Sequence, residues 1–390
     1  MLIFNNTEIA FSNKTDYELR KAYWLFKTIE KPIIVNIGSK LLNLAIFLGF
    51  PIKWIIKPTV FQHFCGGETI NESDNTIENL AKSKIGTILD YSVEGNHNEI
   101  DYDKATNELL SVIKKSSVNK NIPFVVFKVT GIARFSLLEK INNNIQLTSE
   151  EIEEYNRVII RVDRICDAAF SIDLPVFIDA EETWIQNAID KIAMDMIRKY
   201  NSNKAIVYNT LQMYRHDRFS LLEEIIREAN QNSYKIGVKL VRGAYMEKER
   251  ERALKNGYPS PIQINKEATD MDFDKAITLC INNADIVSVC VGSHNEISNT
   301  RFAELIDKKG FLRDDKRFYF AQLLGMSDHI SYNLAHEGFN VAKYVPYGPV
   351  NAVMPYLMRR ALENTSVAGQ TGRELSLIKA ELMRREEVKI

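Results

Sequence analysis

The sequence predicts an α/β chain, a (β/α)8 barrel of the TIM type carrying an N-terminal helical extension. Eight short runs of β-branched and aromatic residues recur along the chain, each followed by a stretch with helical spacing. Eight such units over about 280 residues match the usual size of that barrel. A doubly wound open sheet also alternates strand and helix, but it usually carries G-x-G-x-x-G after its first strand. Neither that fingerprint nor G-x-x-x-x-G-K-[ST] is present. The expected division is a helical segment over residues 1–85 and the barrel over residues 86–390.

The runs are, in order, Thr87–Tyr91, Phe124–Lys128, Val176–Asp179, Ala205–Tyr208, Ile236–Val241, Ile286–Val291, Phe318–Ala321 and Val341–Val345. Between the third and fourth, Trp184, Ala188, Ile192 and Met196 fall on one helical stripe. Thr148-Ser149-Glu150-Glu151 has the spacing of a capping box and opens another helix. Ahead of the barrel, residues 32–64 are rich in Ile, Leu and Phe and include Trp54, but Lys40, Lys53 and Lys57 interrupt them. No apolar run there reaches the roughly 18 residues of a spanning helix. Two short amphipathic helices hinged near Gly49-Phe50-Pro51 fit better, since proline breaks a helix. Two explanations stay open: packing against the main domain, or a basic, Trp-containing helix lying on a membrane surface.

Composition narrows the function classes. With 390 residues, 45% hydrophobic and 26% charged, the chain is an ordinary globular one. Lys plus Arg number 50 against 51 Asp plus Glu, so there is no basic surplus of the kind a general nucleic-acid binder needs. Cys65, Cys166, Cys280 and Cys290 form no C-x-x-C pair, which suits reduced thiols. The first residues lack a signal peptide's basic region and include Glu8, Asp16 and Glu18, which a transit peptide would avoid. A cytoplasmic protein is expected, with peripheral contact at the inner membrane face if the 32–64 segment is a surface helix.

In a barrel of this kind chemistry sits where strands end. The polar residues closing the runs are Asp90, Lys128, Asp179 with Glu181 and Glu182, Gln212, Lys239 with Arg242, His294, Gln322 and Tyr344. Any one alone could be a cap or a salt bridge; the set together points to a site. Apolar strand neighbours flank Lys128 and Lys239, so their ammonium groups face inward and need an anion, either Asp179 or a ligand. In Lys239-Leu240-Val241-Arg242-Gly243-Ala244-Tyr245, Gly and Ala let a flat or phosphate-bearing ligand approach the backbone. After the last run, Tyr356–Asn364 reads as a helix in which Arg359 and Arg360 could clamp a carboxylate, with Glu363 within reach of either. His294 has no second His or Cys at ligand spacing, so no metal is expected. The residues alone reach a barrel enzyme for a small carboxylate and a larger, flat, anionic cofactor.

These strings together resemble the proline dehydrogenase family, flavoenzymes that oxidise L-proline to Δ1-pyrroline-5-carboxylate. Similar segments run from His63-Phe64-Cys65-Gly66-Gly67-Glu68 to Glu381-Leu382-Met383-Arg384-Arg385. The most specific are Ile178–Glu182, Lys239–Tyr245, Tyr344–Pro349 and Tyr356–Asn364. The resemblance implies FAD as cofactor. Lys128, Arg359 and Arg360 would hold the proline carboxylate and Asp179 would orient the cations. Tyr245, Tyr344, Tyr356 and Leu240 would wall the ring. Flavin contacts would fall on Ala180, Gln212, Val241, Arg242, Gly243, Ser293, His294 and Glu363, with Lys239 near the reactive flavin nitrogen. Glu94 resembles the family's acidic gate partner of the first arginine. Many bacterial members read Arg-Leu-Val-Lys-Gly-Ala-Tyr, whereas Lys239 and Arg242 exchange those types here, which changes fork for point charge. The resemblance further implies a quinone acceptor, and the length implies a separate pyrroline-5-carboxylate dehydrogenase downstream. The alternatives are a hydroxyproline dehydrogenase, a non-catalytic flavin or proline sensor, and a membrane-surface scaffold.

Overall fold

The computed structural model describes residues 2–31, 53–92, 98–366 and 370–388. Eight parallel strands close into a barrel in chain order, as the run pattern predicts. They are β1 (Ile85–Tyr91), β2 (Phe124–Phe127), β3 (Val176–Ile178), β4 (Val207–Gln212), β5 (Ile236–Val241), β6 (Val287–Gly292), β7 (Phe318–Leu323) and β8 (Val341–Tyr347). Among the described residues no helix is long and apolar enough to cross a membrane. The chain divides into two compact units, Gly95–Ala321 and the combination of Met1–Glu94 with Gln322–Ile390.

In the Gly95–Ala321 unit, aromatic side chains fill the interior at the start of the strands. Phe124 of β2 stacks on Phe177 of β3 at 4.3 Å, and Tyr208 and Tyr319 meet Phe124 edge-on. Such offset and T-shaped pairs are the favoured aromatic geometries. Gly237 on β5 makes room for them, since a Cβ there would lie 2.5 Å from the Tyr208 ring. The stripe Trp184, Ala188, Ile192 and Met196 is buried along the helix Thr183–Tyr200, and Thr148 and Glu151 form the expected capping box on the helix Ser149–Ser171.

Strand β4 differs from the sequence expectation. The apolar run ended at Tyr208, but the strand starts at Val207 and continues through Asn209, Thr210 and Gln212, all buried. Hydropathy misses it because each polar group finds a partner: Asn209 donates to Asp190 at 3.0 Å, Thr210 to the Ile178 carbonyl at 2.8 Å, and Gln212 to the Glu181 carbonyl at 2.7 Å. Upstream, the Asn201 side chain accepts the amides of Ile206 and Val207 and turns the chain into the strand.

In the other unit, β1 and β8 pair in parallel from Ile85 with Val341 to Tyr91 with Tyr347. Strand β8 also runs past its expected end at Val345. Pro346 removes one donor from the ladder, yet its carbonyl accepts the Gly66 amide at 2.9 Å, so the strand continues to Tyr347. Lys343 of β8 is fully buried. Its ammonium meets Asp328 at 2.9 Å and donates to the carbonyls of Met326 at 2.5 Å and Leu323 at 3.3 Å, fixing the turn after β7. Lys14 reaches the same Asp328 at 3.0 Å, and together the two cations hold that carboxyl far below its usual range against burial.

The helix Val350–Ser366 packs Val353, Met354 and Leu357 against Phe61 and Phe64, with Ile56 and Val60 beside them. For the stretch that includes Phe61 and Phe64, core packing is therefore the explanation that holds; Trp54 is 85% exposed. The hinge expected near Gly49-Phe50-Pro51 lies outside the described residues. The helix Asp16–Ile29 packs Leu19 and Phe26 against Leu377 and Ile378 of the C-terminal helix Gln370–Glu387. All four cysteines are buried, and burial pushes the thiols of Cys280 and Cys290 up to about 12 and those of Cys65 and Cys166 higher still.

Removing one partner of a buried ion pair leaves the other uncompensated. Lys343→Met is expected to cost about 3 kcal/mol, the low end for such a loss because Lys14 still faces Asp328. Urea unfolding with an unchanged midpoint would show that this cation does not hold the β7 turn.

Candidate active site

Two carboxylates after β3 gather polar partners from the neighbouring strands of the Gly95–Ala321 unit. Asp179 follows β3, and its amide donates to the Phe127 carbonyl at 2.9 Å, extending the β2–β3 ladder by one residue. Its carboxylate pairs with the Lys239 ammonium. Lys239 is 4% exposed, in register with Thr210 on one side and Cys290 on the other, and its ammonium lies 5.3 Å from the Phe177 ring centre. An anion and an aromatic face thus offset the cost of burying the cation. Asp179, expected as a partner for these inward-facing lysines, is found paired with Lys239.

Lys128 immediately follows β2, half-buried, and opens the short turn Val129–Gly131. Its field falls on Glu181, the second carboxylate. Glu181 is 3% exposed. It accepts the Thr130 amide at 3.1 Å on one oxygen and the Thr130 hydroxyl on the other. Its backbone is fixed as well: its amide donates to the Gln186 side chain at 2.7 Å, and its carbonyl accepts from Gln212. Burial pushes the Glu181 carboxyl up to about 7, against the pull of Thr130 and Lys128.

Arg242, just after β5, is held on three sides: Nε donates to Asp270 at 2.7 Å, Nη1 to Ser293 at 2.8 Å and Nη2 to Ser298 at 3.0 Å. Its guanidinium lies 4.4 Å from the Phe273 ring centre. Gly243 has φ +132°, and a Cβ there would meet the Tyr214 ring at 2.5 Å, so only glycine fits. The close backbone approach expected at this glycine is thus made by a tyrosine of the protein itself. Ser293 is buried after β6 with half-buried His294 beside it, Leu240 is fully buried, and Ala180, Val241 and Tyr245 are half-buried.

The remaining expected residues belong to the other unit. Tyr344 is buried in β8, in mid-strand rather than at its end, because β8 runs on to Tyr347. On the helix Val350–Ser366, Tyr356 and Arg360 are one turn apart, and the guanidinium stands 5.2 Å from the tyrosine ring centre. Arg360 is buried and Arg359 half-buried, so the adjacent arginines meet different surroundings. At the start of this helix Glu68 Oε2 lies 3.5 Å from the Val350 amide, and Lys57 pairs with Glu68 at 2.5 Å. Glu94 and the Glu363 side chain lie outside the described part of the structure.

Several residues of the site went unassigned in the sequence. Thr130, Asp270 and Ser298 carry no local signal, since partners so distant in sequence leave no spacing to read. Glu249 is fully buried and accepts both the amide and hydroxyl of Thr183 at 2.8 and 2.6 Å, although it sits in a run of charges, Glu247 to Arg252. Only its pairing with buried Ala253 one turn on marks that face.

The sequence profile of the family described as proline dehydrogenase matches residues 73–373. The chain is 35% identical to the carbapenem antibiotics biosynthesis protein CarD of Pectobacterium carotovorum subsp. carotovorum, over 83% of either chain. It is 30% identical to the mitochondrial proline dehydrogenase 1 of Dictyostelium discoideum, covering 97% of this chain and 74% of that one. It is also 30% identical to the hydroxyproline dehydrogenase of Xenopus laevis, covering 96% and 89%. In fold it is similar to proline utilization A of Bdellovibrio bacteriovorus, with a TM-score of 0.73 at 19% identity; the match takes in 92% of this chain and 38% of that longer one. Profile and relatives agree, and the chain belongs to the proline dehydrogenase family.

Proposed function

We propose that the protein oxidises L-proline to Δ1-pyrroline-5-carboxylate with FAD as its cofactor and a quinone as electron acceptor. The observation that carries this reading is the buried Lys239–Asp179 pair, with Gln212 at the C-terminal end of the neighbouring strand β4 and the Arg242–Ser293 bond just past the ends of β5 and β6. Two cations, an amide and a hydroxyl form a donor set that suits a flat, anionic dinucleotide. FAD, when bound, supplies the hydride acceptor. Lys239 and Arg242 would place positive charge along it, with Asp179 holding the Lys239 ammonium in position. Ala180, Gln212, Val241, Gly243, Ser293, His294 and Glu363 would complete its contacts.

Lys128 would bind the substrate carboxylate, and Arg359 and Arg360 are proposed as carboxylate ligands on the strength of their motif. Leu240, Tyr245, Tyr344 and Tyr356 would wall the pyrrolidine ring and exclude water from it. The substrate amine must be neutral to release a hydride from the adjacent carbon, and its proton would leave to solvent. A separate pyrroline-5-carboxylate dehydrogenase would take the product onward. A cytoplasmic location is proposed, with peripheral membrane contact through residues 32–64; in the described part of that segment exposed Trp54 supports contact, while buried Phe61 and Phe64 are committed to the core. The similarity to a hydroxyproline dehydrogenase gives a second reading, which the bulk of Tyr344 disfavours because a ring hydroxyl needs room and a partner.

The deciding experiment is the visible spectrum of the FAD-loaded protein under anaerobic conditions, with L-proline and with trans-4-hydroxy-L-proline. Bleaching by proline is expected. Bleaching by hydroxyproline alone would transfer the assignment to the second reading, and a spectrum indifferent to both would overturn the enzymatic one. Arg360→Met is expected to raise the KM for proline about 10- to 100-fold, the loss of one charge-assisted hydrogen bond, with flavin content unchanged. An unaltered KM would remove Arg360 from the carboxylate clamp.

A further inference from the structure

We propose that Glu181 is the positioning residue of the substrate-carboxylate site: it holds the Lys128 turn through Thr130 and takes up a proton when a carboxylate ligand comes to Lys128. The proposal rests on the reading of Lys128 as the substrate's carboxylate partner.

The geometry is that of a clamp. Both Glu181 oxygens are engaged by Thr130, two residues beyond Lys128, so the turn carrying the ammonium is tied to the loop after β3. That loop is anchored in its turn. Gln186, which accepts the Glu181 amide, donates to Asp190 at 2.8 Å, and Asp190 is neutralised by Arg218 at 2.6 Å. Gln212 fixes the Glu181 carbonyl from β4. Glu181 therefore joins the loops after β2 and β3 to the end of strand β4 and cannot move aside when charge arrives.

Charged groups of both signs bear on Glu181. Lys128 favours its anion, and Glu182, itself paired with Lys248 at 2.5 Å, opposes it. Buried among these, the carboxyl already sits near neutrality, up at about 7. A ligand carboxylate on Lys128 withdraws the cation's support and adds a like charge, and both effects favour the protonated form. The protonated acid still accepts the Thr130 amide, so the clamp persists while the charge leaves. Binding of the anion and uptake of the proton are thus linked, and affinity falls as pH rises above neutrality.

Tetrahydrofuran-2-carboxylate is a suitable probe, being a ring carboxylate with no amine to oxidise or titrate. Its binding to the FAD-loaded full chain is measured by calorimetry in two buffers of different ionisation enthalpy, from pH 6 to 8.5. Wild type is expected to take up protons on binding, most strongly above pH 7, and to lose affinity by up to about tenfold per pH unit there. Glu181→Gln, which keeps an acceptor for the Thr130 amide, is expected to bind with no proton uptake and a flat pH profile. Glu181→Ala is expected to bind more weakly at every pH. Wild type without proton uptake, or Glu181→Gln with undiminished uptake, would overturn the proposal. Lys128→Met binding the probe as tightly as wild type would instead overturn the assignment of Lys128 itself.

Discussion

An ammonium taken out of water must keep an anion beside it, and each compact unit of this chain is arranged around one instance of that constraint. Lys239 on β5 has Asp179, delivered by the loop after β3; Lys343 on β8 has Asp328, delivered by the turn after β7. In both cases a strand presents the cation and a loop must come to it. The loop conformations follow from that requirement: the turn after β7 gives Lys343 two backbone carbonyls besides the carboxylate, and the loop after β3 continues the β2–β3 ladder to set Asp179 in place. Hydrophobic burial fixes where the strands run, and charge neutralisation fixes how the loops leave them.

Conformations that exact need support from behind. The residues that supply it are acceptors with both oxygens committed: Glu181 on Thr130, Glu249 on Thr183 and Asp270 between Arg242 and Lys266. None is itself a strand residue. Glu181 ties one loop to the next, while Glu249 and Asp270 reach out from the helices Met246–Asn256 and Lys266–Asn282, so that side chains aimed at a ligand are held by hydrogen bonds outside the ligand's reach. The same satisfaction of buried polar groups explains how β4 carries Asn209, Thr210 and Gln212 through the interior without penalty.

The fold was legible in the sequence to the extent that its elements are apolar and periodic. All eight strands overlap β-branched or aromatic runs, and the Trp184 stripe and Thr148 cap are where spacing puts them. Legibility stopped where an element is polar yet satisfied, as in β4, or where a residue without a ladder donor is tolerated, as at Pro346 in β8. In the site, the cations stood out because a lysine or arginine among apolar strand residues is anomalous by itself. Their supports did not, because Thr130, Asp270 and Ser298 are ordinary residues whose meaning comes only from partners distant in sequence. Gly243 was noticed for the right property, but the ring that needs the space is Tyr214, which no local pattern links to it.

The burial of every cysteine has a consequence for how opening of the chain can be followed. A thiol enclosed in an apolar interior with its ionisation suppressed is inert toward alkylating reagents and oxidants. Reaction at a given sulfur therefore reports an excursion from the native state, and the four are distributed so as to separate the two units: Cys65 belongs to one, and Cys166, Cys280 and Cys290 to the other. Pulse labelling followed by peptide mapping would turn these silent side chains into clocks for local unfolding, one for each half of the barrel's architecture.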